Sequence, residues 1–86
     1  MSRITVLYFA RLRETLGVSR EELDLTPAVT DLAALRSLLA SRGGVWVQEM
    51  APQRNLRAAV NQEVAAPDAP LRAGDEVAFF PPVTGG

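Results

Sequence analysis

Eighty-six residues, 48% of them hydrophobic and 22% charged, with a net charge of −1, make one globular domain with a thin core, for which surface scaling expects about 63% of the unfolded surface to be buried. The chain has no Cys and no His, and all nine of its basic residues are Arg. These zeros exclude a thiolate nucleophile, an imidazole base, a Cys/His metal site, a lysine Schiff base and a disulfide scaffold.

The near-neutral charge offers no footprint for phosphate backbones, so no nucleic acid is expected as a partner. No apolar run approaches the ~20 residues that span a bilayer, so no membrane is expected either. Met1-Ser2-Arg3-Ile4 leads straight into an alternating segment without a signal-peptide layout, which points to a cytoplasmic protein.

The first element is Ile4-Thr5-Val6-Leu7-Tyr8-Phe9, β-branched and aromatic with no breaker. It reads as a strand buried on both faces, hence central, with Tyr8 structural. Arg11 to Leu16 shifts to helix formers and stops at Gly17, a good residue after a helix end. Glu21 to Leu25 alternates with period two and reads as a half-exposed strand, returning to the first as a hairpin does.

The clearest helix follows. Thr30 is read as its N-cap, with Asp31 favoured by the helix dipole. Leu32, Leu35, Leu38 and Leu39 form its apolar stripe, and Gly43-Gly44 ends it. Val45 to Met50 reads equally as a short helix or a strand, with Trp46 a core or lid residue. Leu56 to Asn61 reads as a strand, turned at Asn61-Gln62 into a brief partner at Glu63 to Ala65. After Pro67, Pro70 and the Gly74-Asp75 turn comes a last strand, Glu76 to Phe80, ended by Pro81-Pro82.

This order of β, short helix, β, long helix, β, β, β predicts an α+β fold, one mixed sheet with one long helix packed across one face. That is the layout of the ubiquitin-like β-grasp. Residues 1–80 form the domain and 81–86 an extended tail.

The tail carries the chemistry. Pro81-Pro82 resist helix, and Gly85-Gly86 have no Cβ and little width. At ~3.3 Å per residue the six residues reach up to roughly 20 Å, which suits insertion into another protein's narrow pocket. A tail read by itself is better read as an ordinary loose chain end.

The wider segment Gly74-Asp75-Glu76-Val77-Ala78-Phe79-Phe80-Pro81-Pro82-Val83-Thr84-Gly85-Gly86 resembles the C-terminus of the molybdopterin synthase small subunits, the MoaD-type sulfur carriers. The resemblance extends to Ala59-Val60-Asn61-Gln62, to Phe9-Ala10 and to the Arg13-Glu14 pair. The thiamine-pathway carriers share the fold and the terminal Gly-Gly but usually lack the Phe-Phe-Pro-Pro-Val run. The resemblance implies that Gly86 is the reacting residue, with Gly85 its clearance. A ubiquitin-activating-like adenylyltransferase uses ATP and Mg²⁺ to adenylate Gly86, and a sulfur-donor enzyme converts it to a thiocarboxylate. The tail then enters the synthase large subunit, in a heterotetramer, to pass sulfur to cyclic pyranopterin monophosphate. This chain is then a non-catalytic carrier that binds no cofactor or metal itself.

The resemblance also nominates partner-binding residues: Phe80, Pro81, Pro82, Val83, Thr84, Val64 and Arg13. Phe79 and Phe80 must point to opposite faces of their strand, and Val64 with Leu56 is read as extending an apolar patch on the sheet's outer face. The acidic residues are read as surface, since none pairs at a spacing suited to a metal or to acid–base work. Three other readings stay open: a ubiquitin-like modifier joined through Gly86 to target lysines, a carrier for another sulfur pathway (thiamine or tRNA thiolation), and a binding module whose tail is incidental.

Overall fold

The sheet is built around two parallel strands. β1 (Arg3–Tyr8) and β5 (Glu76–Phe80) lie side by side in the order β2-β1-β5-β3-β4, and every other neighbouring pair is antiparallel. The computed structural model describes residues 3–51 and 54–81. Between β1 and β2 (Arg20–Asp24) lies α1 (Arg11–Leu16). α2 (Leu32–Ala40) and α3 (Val45–Glu49) separate β2 from β3 (Arg57–Val60), and the two-residue β4 is Glu63–Val64. The fold is a ubiquitin-like β-grasp.

β1 is internal in the sheet, as expected, but it is not covered on both sides. Ile4, Val6 and Tyr8 are buried, whereas Thr5 and Leu7 are only half-buried. The uninterrupted apolar run misled because the helices cover one face only. On that face Leu32, Leu35 and Leu39 of α2 join Ile4, Val6, Tyr8, Val77 and Phe79 in one cluster. Leu38, placed on the stripe by spacing, is 40% exposed.

The α2 cap also differs from expectation. Asp31, not Thr30, is the N-cap: its Oδ1 accepts the Ala34 N–H at 2.8 Å. Thr30 is occupied otherwise, its carbonyl accepting the Leu71 N–H at 3.0 Å. α1 ends at Gly17 in the left-handed conformation, as its sequence indicates. The ambiguous Val45–Met50 stretch resolves as helix, entered through Gly43 and Gly44 at φ 81° and 58°. Those angles suit residues without a Cβ.

A polar network pins β2 and the end of α2 to the core. The Tyr8 hydroxyl donates to Glu21 Oε2 at 2.6 Å, and Arg42 donates to both Glu21 oxygens at 2.8 and 2.7 Å. The Arg42 guanidinium sits 4.5 Å from the centre of the Trp46 ring, which meets Tyr8 edge-on at 5.5 Å. Burial pushes the Glu21 carboxyl up, but the hydrogen bonds from Arg42 and Tyr8 outweigh it, and its pKa lies below the ordinary value. Burial, reinforced by Glu21, pushes the Tyr8 phenol well above its ordinary value. Tyr8 is structural, and Trp46 is a half-buried lid on the core.

The Asn61-Gln62 turn has both residues at positive φ, 51° and 71°. Asn61 holds the turn to β5. Its side-chain oxygen accepts the Glu76 N–H and its Nδ2 donates to Asp75 Oδ1, both at 3.0 Å. Much of the Ala59–Gln62 and Gly74–Glu76 pattern is therefore a clasp within the fold.

Candidate functional site: the open sheet face and the tail root

β5 sends its side chains alternately to the two faces. Phe79 is 2% exposed and stacks on Tyr8 at 6.3 Å, under the helices. Phe80 turns to the opposite face and is half-buried there. Strand register places the other residues of that open face: Leu7 pairs with Ala78, Ala78 with Ala59, Ala59 with Val64, and Phe80 with Arg57. Val64 is 68% exposed.

Phe9 belongs to this face by the alternation that turns Tyr8 inward. Its N–H donates to the Phe79 carbonyl at 3.1 Å, continuing the parallel ladder, and it is 46% exposed. Leu7, Phe9, Val64, Ala78 and Phe80 thus give the open face an apolar character, next to the point where β5 ends. The sequence placed Phe9 at the end of a strand buried on both faces, and the structure leaves it exposed just past β1. Its exposure follows from α1 starting beyond it and leaving its face uncovered.

Leu56 packs against the core cluster, two residues before buried Ala58, and it lines a cavity of about 220 Å³ together with Val64, Leu32, Ala58 and Phe79. Arg13 is exposed on α1 and is not on the sheet. Pro81 is half-buried at the end of β5 and lines a cavity of about 200 Å³ with Arg11, Glu49, Arg54, Asn55 and Leu56. Pro82, Val83, Thr84, Gly85 and Gly86 lie outside the described residues.

Glu49 overturns the reading of all acidic residues as surface. It is 6% exposed, bonded to Arg54 at 3.0 Å and paired with Arg11 at 3.7 Å. Its signal was present in the sequence: Trp46, Glu49 and Met50 fall at i, i+3 and i+4, one face of a helix. Among the described residues, every buried side-chain nitrogen or oxygen has a hydrogen-bond partner. What this part of the molecule offers is a surface for association.

These features define a ubiquitin-like β-grasp protein with an open apolar sheet face beside the exit of its C-terminal segment. Residues 6–86 match the model of the ThiS family, and the chain belongs to that family. The chain is 44% identical to the molybdopterin synthase sulfur carrier subunit of Escherichia coli, over 96% of this chain and 99% of that protein. Among solved structures, it superposes with a TM-score of 0.78 on a Pyrococcus furiosus protein assigned as molybdopterin converting factor, subunit 1. That pair is 27% identical, covering 96% of this chain and all of the other. The small archaeal modifier protein 1 of Haloferax volcanii is 30% identical, with a TM-score of 0.69, over 96% of this chain and all of that one.

Proposed function

We propose that this chain is the sulfur-carrier subunit of a molybdopterin synthase. The observation that carries the reading is the 44% identity, over 96% of this chain, with the Escherichia coli carrier subunit, joined to a fold whose last strand runs into Pro81, five residues before Gly86 in the sequence.

The chemistry explains what such a chain does and does not supply. An α-carboxylate with a pKa of ~3.3–3.7 is an anion at neutral pH and a poor electrophile. In a ubiquitin-activating-like enzyme the Gly86 carboxylate attacks the α-phosphate of Mg²⁺-bound ATP, pyrophosphate leaves, and the acyl adenylate so formed has a reactive carbonyl carbon. A sulfur-donor enzyme then delivers sulfur there as AMP leaves, and the thiocarboxylate donates that sulfur to cyclic pyranopterin monophosphate. A chain with no Cys, His or Lys supplies only its terminal carboxylate, which attacks ATP, and the sulfur it then carries; the other catalytic groups of these steps belong to the enzymes it visits, the synthase large subunit among them. Gly85 and Gly86 give the narrow tip that enters those sites. Phe80, Pro81, Val64 and the newly recognised Phe9 give the surface that docks, and Pro82, Val83 and Thr84 connect the two.

Intact-mass measurement after incubation with the activating enzyme, ATP and a sulfur donor tests this directly. The expected result is replacement of one oxygen by sulfur at Gly86. An unchanged mass sinks the carrier reading.

A second reading, a protein modifier, is favoured by the likeness to the Haloferax volcanii modifier. It expects target lysines carrying Gly-Gly remnants in digests of cells that express this chain. Having no Lys, the chain forms no lysine-linked polymer with itself under either reading.

A further inference from the structure

The nine arginines are not spread evenly. Arg11 and Arg13 lie on α1, Arg54 follows α3, and Arg57 is the β3 residue paired with Phe80. All four are exposed and stand at the end of the sheet from which the C-terminal segment leaves. Only two carboxylates share α1 and α3 with them, Glu14 and the buried Glu49. At the other end of the sheet the balance reverses: Asp24, Glu63, Asp75 and Glu76 stand against Arg3 and Arg72. A chain of net charge −1 is thus polarised, with a positive collar around the root of its tail.

In the carrier reading the tip of that tail is the Gly86 carboxylate, negative at neutral pH. Five residues follow Pro81, so the tip lies at most roughly 17 Å beyond it. That reach exceeds the ~8 Å screening length at physiological salt, so collar and tip can meet differently charged parts of one partner. The partner that receives the tail then needs the inverse pattern, acidic where the body of the carrier lands and neutral or cationic where the carboxylate ends.

We infer that the synthase large subunit has an acidic rim around its tail-binding groove, and that Arg11, Arg13, Arg54 and Arg57 dock on it. This rests on the carrier reading. Continuity supports it: the collar borders the open apolar face through the Phe80–Arg57 pair. Arg11 and Arg54 hold the buried Glu49, whereas Arg13 and Arg57 form no ion pair with another described residue. Their charge is directed to solvent.

The test is the rate at which the full chain associates with purified large subunit, followed by stopped-flow between 50 and 500 mM NaCl. Wild-type association should slow at least about fivefold across that range. The double variant R13Q/R57Q should be about fivefold slower than wild type at low salt and equal to it at high salt, because steering acts only where charges are unscreened. R13K/R57K should restore the rate, and R3Q/R72Q, at the far end, should stay within about twofold of wild type. Convergence at high salt separates steering from misfolding. Salt-independent binding, R13Q/R57Q and R3Q/R72Q slowing alike, or salt dependence with the activating enzyme alone overturns the collar but leaves the carrier reading intact. No binding at any salt, together with no sulfur gain in the mass assay, overturns both.

Discussion

The two faces of the sheet are made by the same strands and have opposite fates. On one, Ile4, Val6, Tyr8, Val77 and Phe79 are sealed beneath α2 and α3. On the other, Leu7, Phe9, Val64, Ala78 and Phe80 have no helix of the described residues over them and keep part of their surface in water. Phe79 and Phe80 are adjacent in sequence, identical in chemistry and separated by the whole thickness of the sheet. The difference teaches that hydrophobicity along a strand reports how much apolar surface exists, and only the placement of the covering helices reports which half folding uses. The uncovered half remains for association.

The comparison is broken most severely at its functional end. A chain lacking Gly85-Gly86 should gain no sulfur at all in the mass assay, while circular dichroism still reports the folded sheet and helices. A truncated chain that still gains sulfur would place the acceptor elsewhere.

The paired phenylalanines come next. Phe79→Ala removes a fully buried ring and should cost about 3–5 kcal/mol in chemical denaturation. Phe80→Ala should cost less than about 1 kcal/mol in the same experiment yet weaken large-subunit affinity about tenfold or more, as loss of an aromatic anchor does. Equal stability losses for the two would erase the distinction between the faces.

A smaller effect tests the network on the covered side. Glu21→Gln leaves Arg42 and Tyr8 with a neutral partner and should cost about 1–3 kcal/mol at pH 7. The folded carboxyl titrates below its ordinary value, so its contribution is present above the unfolded pKa of ~4.3 and is lost as pH falls through the folded one. The gap between wild type and variant in denaturant midpoint should therefore be widest at neutral pH and narrow below about pH 4. A gap that widens in acid would reverse the assigned direction.

The mildest change concerns the helix that separates the faces. Asp31→Ala should cost about 1 kcal/mol by removing the cap on the Ala34 N–H, and Thr30→Ala less than half of that. The opposite ranking would return the cap to Thr30.

Much of this molecule was legible in the sequence, for local reasons. The end of α1 at Gly17, the apolar stripe of α2, the turn at Asn61-Gln62 and the bounds of β5 follow from glycine conformation, a 3.6-residue period and prolines that cannot join a ladder. What was misread depended on distant neighbours. Thr30 and Asp31 are comparable caps by type, and the Leu71 N–H bonded to the Thr30 carbonyl singles out the second. Glu49 looked like a surface acid until Arg11 of α1 was brought to it beside Arg54, five residues further along the chain.

The sequence by itself determined the secondary-structure order, the class of fold and the set of reactive groups the chain possesses, because these rest on local propensity and on composition. Its missing Cys, His and Lys exclude side-chain catalysis of the kinds those residues support. Tertiary structure decided which face stays open, which residues border the end of β5 and where the arginines gather. Those are properties of side chains far apart in sequence, and only strand pairing and helix packing bring them to one end of the molecule.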